Sequence, residues 1–248
     1  MAKLLFESVS YYYPGVSSPA IKDIGFTVET GEIIAVLGAN GSGKSTLGKI
    51  AAGLLTPASG EVTVSGVDRH ADWSGVGLLL QNPDEQILTH SVESELAWGL
   101  ENLALPQDEM HRRVAEILEM FELQEMRSAA PETLSDGWKQ ILALASLVAM
   151  KPAFLVLDEV TAFLDPYWRV RIREFCRRLM QSTGLIWIST DTRDSLAADH
   201  VLVLENGRLV KSGHPDSVLH DVDLKKCGLE LLSCHPRAGG DPVKPLNL

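Results

Sequence analysis

Cysteine is scarce in this 248-residue sequence, and its few copies are scattered. The three cysteines are Cys176, Cys227 and Cys234, and no two of them form a CxxC pair. An odd, scattered set is typical of reduced thiols in a cytosolic protein, since a disulfide framework uses an even number of cysteines. The sequence therefore predicts a fold that does not depend on disulfide bonds.

Long apolar runs are also missing. The longest, from Ile141 to Met150, is closed by Lys151 and Pro152. A membrane-spanning helix needs about 20 apolar residues, so this run predicts a buried helix. The first residues, MAKLLFESVS, contain no apolar stretch of the length that a signal peptide requires. Any role at a membrane is therefore expected to depend on a partner.

Positive charge is in short supply. The chain has 22 Lys and Arg residues against 33 Asp and Glu residues, which gives a net charge of −11. This balance argues against nucleic acid as a partner, because contacts along a phosphate backbone need a basic surface. A local anion site made of backbone N–H groups remains compatible with it.

Strand-like and helix-like segments alternate along most of the chain. Residues 1 to about 30 have the composition of strands, and residues 32–38, EIIAVLG, are typical of a strand buried on both faces. Apolar residues at helical spacing predict helices from Ser91 to Met150. Strand patterns return in AFLVLDE, LIWIST and HVLVLE, and Asn206-Gly207 predicts a hairpin. This order predicts an α/β fold with a parallel sheet, followed by an irregular tail at residues 234–248.

A phosphate-binding motif follows the first buried strand. The segment GANGSGKST fits G-x-x-x-x-G-K-[ST] between a predicted strand and a predicted helix. Its backbone N–H groups are expected to surround phosphates, Lys44 to contact the β and γ phosphates, and Ser45 to bind Mg²⁺. A chance glycine turn is the plainer interpretation, which the flanking elements disfavour. The predicted nucleotide-binding residues are Gly38, Ala39, Asn40, Gly41, Ser42, Gly43, Lys44, Ser45 and Thr46.

Two acids end a later apolar strand, FLVLDE. Ligands of parallel α/β sheets collect at the carboxyl ends of the strands, so Asp158 and Glu159 are expected to lie near the phosphate motif. Asp158 is then predicted to hold Mg²⁺ through water, and Glu159 to polarise an attacking water. An acidic strand end that only faces solvent is the alternative.

In this order, the motifs resemble the ATP-binding subunit of an ABC transporter. More narrowly, QNPDEQ and SVESELAWGLEN resemble the ATPase of an energy-coupling factor importer, the type that takes up vitamins or transition-metal ions such as cobalt or nickel. The resemblance covers roughly residues 3–230. It implies a P-loop NTPase core with a RecA-like parallel sheet, an antiparallel β subdomain and a helical insert at about 91–150, all within an ATPase domain at 3–233. It also implies ATP and Mg²⁺ as cofactors.

The resemblance adds two residues to the nucleotide site. Tyr13 is implied to stack on adenine, although packing within a small sheet is an equal alternative for any ring from Tyr11 to Tyr13. Gln81 is implied to give a side-chain oxygen to Mg²⁺ and to act in catalysis as a nucleotide sensor.

The resemblance also implies partners. Two ATPase domains face head to tail, each ATP lies between one domain's phosphate loop and the other's signature, and the Leu164-Asp165-Pro166 loop crosses the interface. The helical insert receives a coupling helix from a transmembrane subunit, and a further membrane subunit binds the substrate. The chain is thus expected as a peripheral protein on the cytoplasmic face of the membrane. A plain amphipathic helical bundle is the alternative for the insert.

The signature departs from the family pattern. It usually reads Leu-Ser-Gly-Gly-Gln, and here it reads Leu134-Ser135-Asp136-Gly137-Trp138. Ser135 and Gly137 keep donors for the γ-phosphate at a helix N-terminus. Asp136 brings a carboxylate towards a polyanion, and two unit charges 4 Å apart repel by about 1 kcal/mol in water and about 4 kcal/mol near a protein surface. Alternatively, Asp136 turns away and changes little.

The switch position is the second departure. The family has a histidine where this chain has Thr190, and threonine cannot become cationic. Thr190 weakens the site built on this chain's own phosphate loop, whereas Asp136 weakens the site built on the partner's. The two departures favour pairing with a second, non-identical ATPase subunit. A nucleotide-binding switch or scaffold with little turnover, and a DNA-repair or translation protein of the same family, are the alternatives.

Overall fold

The computed structural model describes residues 1–67, 75–220 and 229. Nine strands lie in this part of the chain. They are β1 Lys3–Tyr11, β2 Ile21–Glu29, β3 Ile33–Leu37, β4 Ser59–Ser65, β5 Val76–Leu79, β6 Phe154–Asp158, β7 Gly184–Ser189, β8 His200–Glu205 and β9 Arg208–Gly213. The strands form an antiparallel sheet in the order β2-β1-β4 and a six-stranded sheet in the order β5-β6-β7-β3-β8-β9.

The six-stranded sheet is parallel except for its last strand. Every residue of β3, β6 and β7 is buried, which explains why these segments are continuously apolar rather than alternating. The register pairs Leu37 with Ser189 and Asp158 with Ile188, so β3, β7 and β6 end at the same edge of the sheet. The predicted α/β fold with a parallel sheet and an antiparallel β subdomain is confirmed.

Six α-helices surround the sheets within the described residues. They are α1 Lys44–Ala51, α2 Val92–Asn102, α3 Gln107–Met120, α4 Asp136–Ala149, α5 Pro166–Leu179 and α6 Pro215–Leu219. One apolar core contains α2, α3, α4 and α5 on one face of the parallel sheet, and a second core joins its other face to α1 and the antiparallel sheet. The run from Ile141 to Met150 lies mostly within α4 and is largely buried, as predicted.

None of the described helices has the length and apolar character needed to span a bilayer. Cys176, on α5, is buried, and this burial raises the pKa of its thiol to about 12. A thiol with such a pKa stays protonated and unreactive in the folded protein. Cys227, Cys234 and the tail predicted at 234–248 lie outside the described residues.

The hairpin predicted at Asn206-Gly207 joins β8 to β9. The turn also contacts the phosphate motif, because the N–H of Gly207 donates to the carbonyl of Ser42 at 3.0 Å. The carbonyl of Gly207 in turn accepts from the N–H of Lys22 at 2.7 Å. The hairpin therefore supports the loop between β3 and α1 through a backbone hydrogen bond.

Candidate functional site

The phosphate motif forms the loop from the end of β3 to the start of α1. Gly43 is the N-cap residue of α1 with φ 104°, and a Cβ there would lie 2.5 Å from the carbonyl oxygen of Ala20, so only glycine fits. No side chain of the described residues caps α1. The first N–H groups of a helix lack intrahelical acceptors, and here they remain available to an anion.

A cavity of about 460 Å³ opens beside this loop. Most of the predicted site residues meet there, whereas Gly38, Ala39 and Ser42 are not part of the wall. The hydroxyl of Ser42 is buried and has no hydrogen-bond partner among the described residues. The lining residues are Tyr13, Ala20, Asn40, Gly41, Gly43, Lys44, Ser45, Thr46, Gln81, Asp158 and Glu159.

Lys44 places a positive charge in the cavity. Its side chain is only 4% exposed, and its ammonium donates to the carbonyls of Gly38 at 2.9 Å and Ala39 at 3.1 Å. The ammonium also lies 3.4 Å from a carboxylate oxygen of Glu159. The Lys44 ammonium is held by two neutral carbonyls and one carboxylate, and it already lines the cavity in which a phosphate would bind.

Oxygen atoms suited to a hard cation also line the cavity. The hydroxyl of Ser45 donates to a carboxylate oxygen of Asp158 at 3.1 Å, and Gln81 lines the same space. Burial raises the pKa of the Asp158 carboxyl, and the hydrogen bond from Ser45 partly opposes this rise. A bound cation would offset the cost of keeping this carboxylate charged, so the donor set fits Mg²⁺.

Binding of the metal ion would still depend on the phosphates of a bound substrate. Within the described residues, no group of three or more His, Cys, Asp or Glu side chains is arranged to hold a metal ion. Mg²⁺ is commonly bound by one or two protein groups together with substrate phosphates and water. The set of Ser45, Asp158 and Gln81 fits that arrangement.

Glu159 adopts a backbone conformation that is unusual for its residue type. Its φ is 51°, in the left-handed region, and its N–H donates to the carbonyl of Ile188 at 3.0 Å. Such conformations cost free energy and cluster at functional sites. The turn directs the carboxylate of Glu159 into the cavity, next to Lys44.

Tyr13 is the one tyrosine of the YYY segment that lines the cavity. Its hydroxyl lies 3.1 Å from the hydroxyl of Thr46, and the residue is 39% exposed. The ring packs edge-on against Tyr11, with centroids 5.1 Å apart. An exposed face held at the rim of a phosphate loop is suited to stacking on a flat base.

Thr190 and the signature residues do not line the cavity. Thr190 follows the last residue of β7, and Ser135 is the N-cap residue of α4 without a side-chain cap bond. Asp136 is exposed in the first turn of that helix. Within one chain the signature is therefore away from the nucleotide cavity.

Gly137 is buried against an aromatic side chain. A Cβ at this position would lie 2.2 Å from the ring of Trp168. Trp138 packs edge-on against the same ring, with centroids 4.9 Å apart. Trp138 and Trp168 therefore form an aromatic contact between α4 and α5.

Gly137→Ala is expected to lower the free energy of unfolding by about 1–3 kcal/mol, the usual cost of overpacking. Alanine favours a helix by about 0.5–1 kcal/mol relative to glycine, so a net loss would show that the clash with Trp168 dominates. Chemical denaturation measures the difference. In a Trp168→Leu background the same substitution should be neutral or stabilising. A loss of equal size in both backgrounds would contradict the proposed clash.

Sequence reasoning missed the side chains that connect these segments. Gln86 donates to the carbonyl of Leu78 and accepts from the N–H of Leu80, at 2.8 and 2.7 Å. Gln140, on α4, donates to the carbonyl of Leu80 at 3.2 Å. Both glutamines thus hold the residue that precedes Gln81. No local pattern indicates either contact, because each joins separate elements.

Comparison with known proteins identifies the family. The family model described as ABC transporter matches residues 21–162. The energy-coupling factor transporter ATP-binding protein EcfA1 of Halalkalibacterium halodurans is 38% identical over 235 residues, 92% of this chain and 84% of that protein. A putative ABC transporter ATP-binding protein of Methanosarcina mazei is 40% identical over 231 residues, covering 90% of this chain and 84% of the relative.

A solved structure agrees with these relatives. CbiO1 from Clostridium perfringens, described as part of the ABC transporter complex cbiONQ, superposes with a TM-score of 0.78 and 30% sequence identity. The match covers 90% of this chain and 92% of that one. The chain therefore belongs to the ABC transporter family, among the ATP-binding proteins of the energy-coupling factor type.

Proposed function

We propose that this chain powers a membrane importer by binding and hydrolysing ATP in the cavity at the carboxyl edge of its parallel sheet. The observation that carries the proposal is the meeting of Lys44, Asp158 and Glu159 at one end of the phosphate loop. One cation, one carboxylate suited to a metal ion and a second carboxylate that can act on water are the groups that phosphoryl transfer to water uses. The cargo is proposed to be a vitamin or a transition-metal ion such as cobalt or nickel.

The nucleotide is proposed to bind with its phosphates around the N-terminus of α1. The backbone N–H groups from Gly41 to Thr46 contact the phosphates, and the ammonium of Lys44 leaves the two loop carbonyls for the β and γ phosphates. The adenine stacks on the exposed face of Tyr13. The support for this orientation is the contact between Tyr13 and Thr46, which places the ring at the start of α1.

Hydrolysis is proposed to follow in-line attack of water on the γ-phosphate. Ser45, Gln81 and Asp158 would hold Mg²⁺, which neutralises charge that develops on the phosphate oxygens. Glu159 accepts a hydrogen bond from the attacking water and takes up its proton as general base, while ADP leaves from the opposite side of the γ-phosphorus. Thr190 donates a hydrogen bond at the switch position but adds no positive charge.

A head-to-tail dimer is proposed to close each ATP site. The loop before α5 supports an interface, because Phe163 and Tyr167 are 83% and 63% exposed on either side of Leu164-Asp165-Pro166. Contiguous exposed apolar patches mark interaction sites, and these two side chains flank one three-residue segment. In the dimer, Ser135 and Gly137 of one subunit would face the γ-phosphate bound by the other.

The second ATPase subunit is proposed to be a different protein. Asp136 is exposed at the start of α4, where it faces outward from its own chain, so its carboxylate would approach the partner's ATP. Thr190 affects this chain's own ATP. In a homodimer, each site would carry both defects, whereas a partner with the usual glycine and histidine separates them.

The helices α2 to α4 are proposed to form the subdomain that receives the membrane partner, within an ATPase domain at 3–233. Leu88 is 66% exposed and Trp98 is partly exposed, which leaves apolar surface near the segment after Gln81. An ion pair of 2.7 Å between Lys139 and Asp84 ties α4 to the same segment. Movement of α4 on dimer closure would therefore be passed on to this surface, and the chain would lie on the cytoplasmic face of the membrane.

Co-purification tests the proposed assembly. A tagged full-length chain, expressed with the genes that neighbour it, is expected to retain an integral membrane subunit and a second ATPase in mild detergent. The recovered complex should hydrolyse ATP faster than the chain purified by itself. If the chain were recovered without any membrane protein, and bound ATP as tightly as the chain purified by itself, the result would favour a soluble nucleotide-binding switch and contradict the proposal.

Restoring the usual family residues at Asp136 and Thr190 is expected to give the chain ATPase activity in the absence of a partner. Thr190→His combined with Asp136→Gly should raise steady-state ATP hydrolysis at least tenfold over wild type, since each change removes a barrier of more than about 1 kcal/mol. Thr190→Gln, which adds a donor without a cationic form, is the matched control for histidine. Steady turnover by the wild-type chain alone, equal to that of the double variant, would rule out the need for a different partner.

A further inference from the structure

Asp194 joins the turn that follows Glu159 to the end of β7, directly before Thr190. One of its carboxylate oxygens accepts from the hydroxyl of Thr161 at 2.9 Å and from the hydroxyl of Ser189 at 2.7 Å. Both donors and the acceptor are buried, and the side chain of Asp194 is 2% exposed. Two hydroxyl donors on one buried oxygen fix the distance between the segments that carry them.

The two donors stand beside the residues proposed to act on the γ-phosphate. Thr161 follows Glu159 by two residues, in a turn where the N–H of Ala162 donates to the carbonyl of Glu159 at 3.0 Å. Ser189 comes directly before Thr190, and its hydroxyl also accepts from the N–H of Asp191 at 2.9 Å. The backbone is therefore held on both sides of Thr190.

A third contact links Asp194 to α5. The guanidinium of Arg173 donates to the other carboxylate oxygen and balances its charge. Helix α5 begins at Pro166, directly after the loop proposed to cross the dimer interface. The Asp194 carboxylate thus connects the turn after Glu159, the end of β7 beside Thr190, and helix α5.

We propose that Asp194 is a positioning residue for ATP hydrolysis, which sets the distance between Glu159 and Thr190 through Thr161 and Ser189. Asp194 does not line the nucleotide cavity and acts through the two hydroxyl groups. This inference rests on the proposed roles of Glu159 and Thr190. It adds that their mutual geometry depends on a carboxylate that the motifs of the family resemblance do not include.

Removal of one hydroxyl tests the inference. Thr161→Val keeps the shape of the side chain and removes its bond to Asp194. It is expected to lower kcat for ATP at least tenfold, with KM and the ATP dissociation constant within twofold of wild type. Thr161→Ser, which restores a hydroxyl, should recover most of kcat. The rates are measured in the assembly, chain alone or complex, that hydrolyses ATP faster.

Thr183→Val is the matched structural control. Thr183 is also buried and donates through its hydroxyl to the carbonyl of Pro152 at 3.2 Å, but it precedes β7, at the end opposite the cavity. Both valine variants are expected to lower the melting temperature by similar amounts, and only Thr161→Val should lower kcat. A kcat at wild-type level in Thr161→Val, or an equal loss in Thr183→Val, would overturn the inference.

Glu159→Gln separates this inference from the function on which it rests. If Glu159→Gln hydrolyses ATP at the wild-type rate, the proposed role of Glu159 fails, and the inference fails with it. If Glu159→Gln is inactive and Thr161→Val is fully active, only the inference fails. When both single variants are impaired, the double variant Glu159→Gln/Thr161→Val is expected to hydrolyse ATP within twofold of the rate of Glu159→Gln alone. The reason is that both side chains act in the same step.

Discussion

Glu159→Gln is expected to lower the rate of ATP hydrolysis by about 100- to 10 000-fold, the range for loss of a general base. ATP binding should persist, because Lys44 loses a competing carboxylate at 3.4 Å while the phosphate loop is unchanged. Phosphate release measures hydrolysis, and equilibrium binding of a fluorescent ATP analogue measures affinity. The variant should therefore accumulate in the ATP-bound state.

Glu205→Gln provides the matched control. Glu205 also ends a strand of the parallel sheet, β8, but it does not line the cavity. Its substitution removes the same charge and should leave hydrolysis within twofold of wild type. Equal rates in Glu159→Gln and Glu205→Gln would show that the base lies elsewhere.

Lys44→Met is expected to weaken ATP binding about 100-fold. Methionine keeps an unbranched side chain in the narrow space beside Gly38 and Ala39, so the loop should retain its shape. The lost interaction is that of an ammonium with the β and γ phosphates, which is worth about 4 kcal/mol at 4 Å near a protein surface before desolvation costs are subtracted. Titration calorimetry with Mg-ATP gives the dissociation constant.

Lys49→Met tests whether charge alone explains the result. Lys49 lies in the last turn of the same helix, α1, and does not line the cavity. This variant makes the same change in net charge and should bind ATP within threefold of wild type. If Lys44→Met bound as tightly as Lys49→Met, the phosphates would not be held by Lys44.

The sequence predicts those parts of the site whose residues lie close together along the chain. The phosphate loop is one contiguous segment between a strand and a helix, so its position at the end of β3 follows from the motif. Asp158 and Glu159 could also be placed, because neighbouring parallel strands end at a common edge. Asn206-Gly207 predicts its own turn, although not the contact of Gly207 with Ser42.

The parts that escape sequence reasoning depend on side chains from distant segments. In the sequence Gly137 is an ordinary glycine of the predicted signature, and only the structure shows that Trp168 packs against it. Asp194 lies in a short 3₁₀ helix without a motif, and its proposed role depends on Thr161, in the turn after β6, and Ser189, at the end of β7. Such contacts are set by how the strands align, which periodicity alone does not specify.

The support of the phosphate loop by the hairpin has a consequence for biosynthesis. Residues 38–46 leave the ribosome long before the segments that surround them, because β3 has β7 and β8 as its neighbours and Gly207 donates to the carbonyl of Ser42. A nascent chain that has not yet reached Gly207 therefore carries the complete motif without the scaffold that shapes it. Nucleotide is expected to be captured only after β8 and Gly207 have been synthesised, as a late and cooperative event.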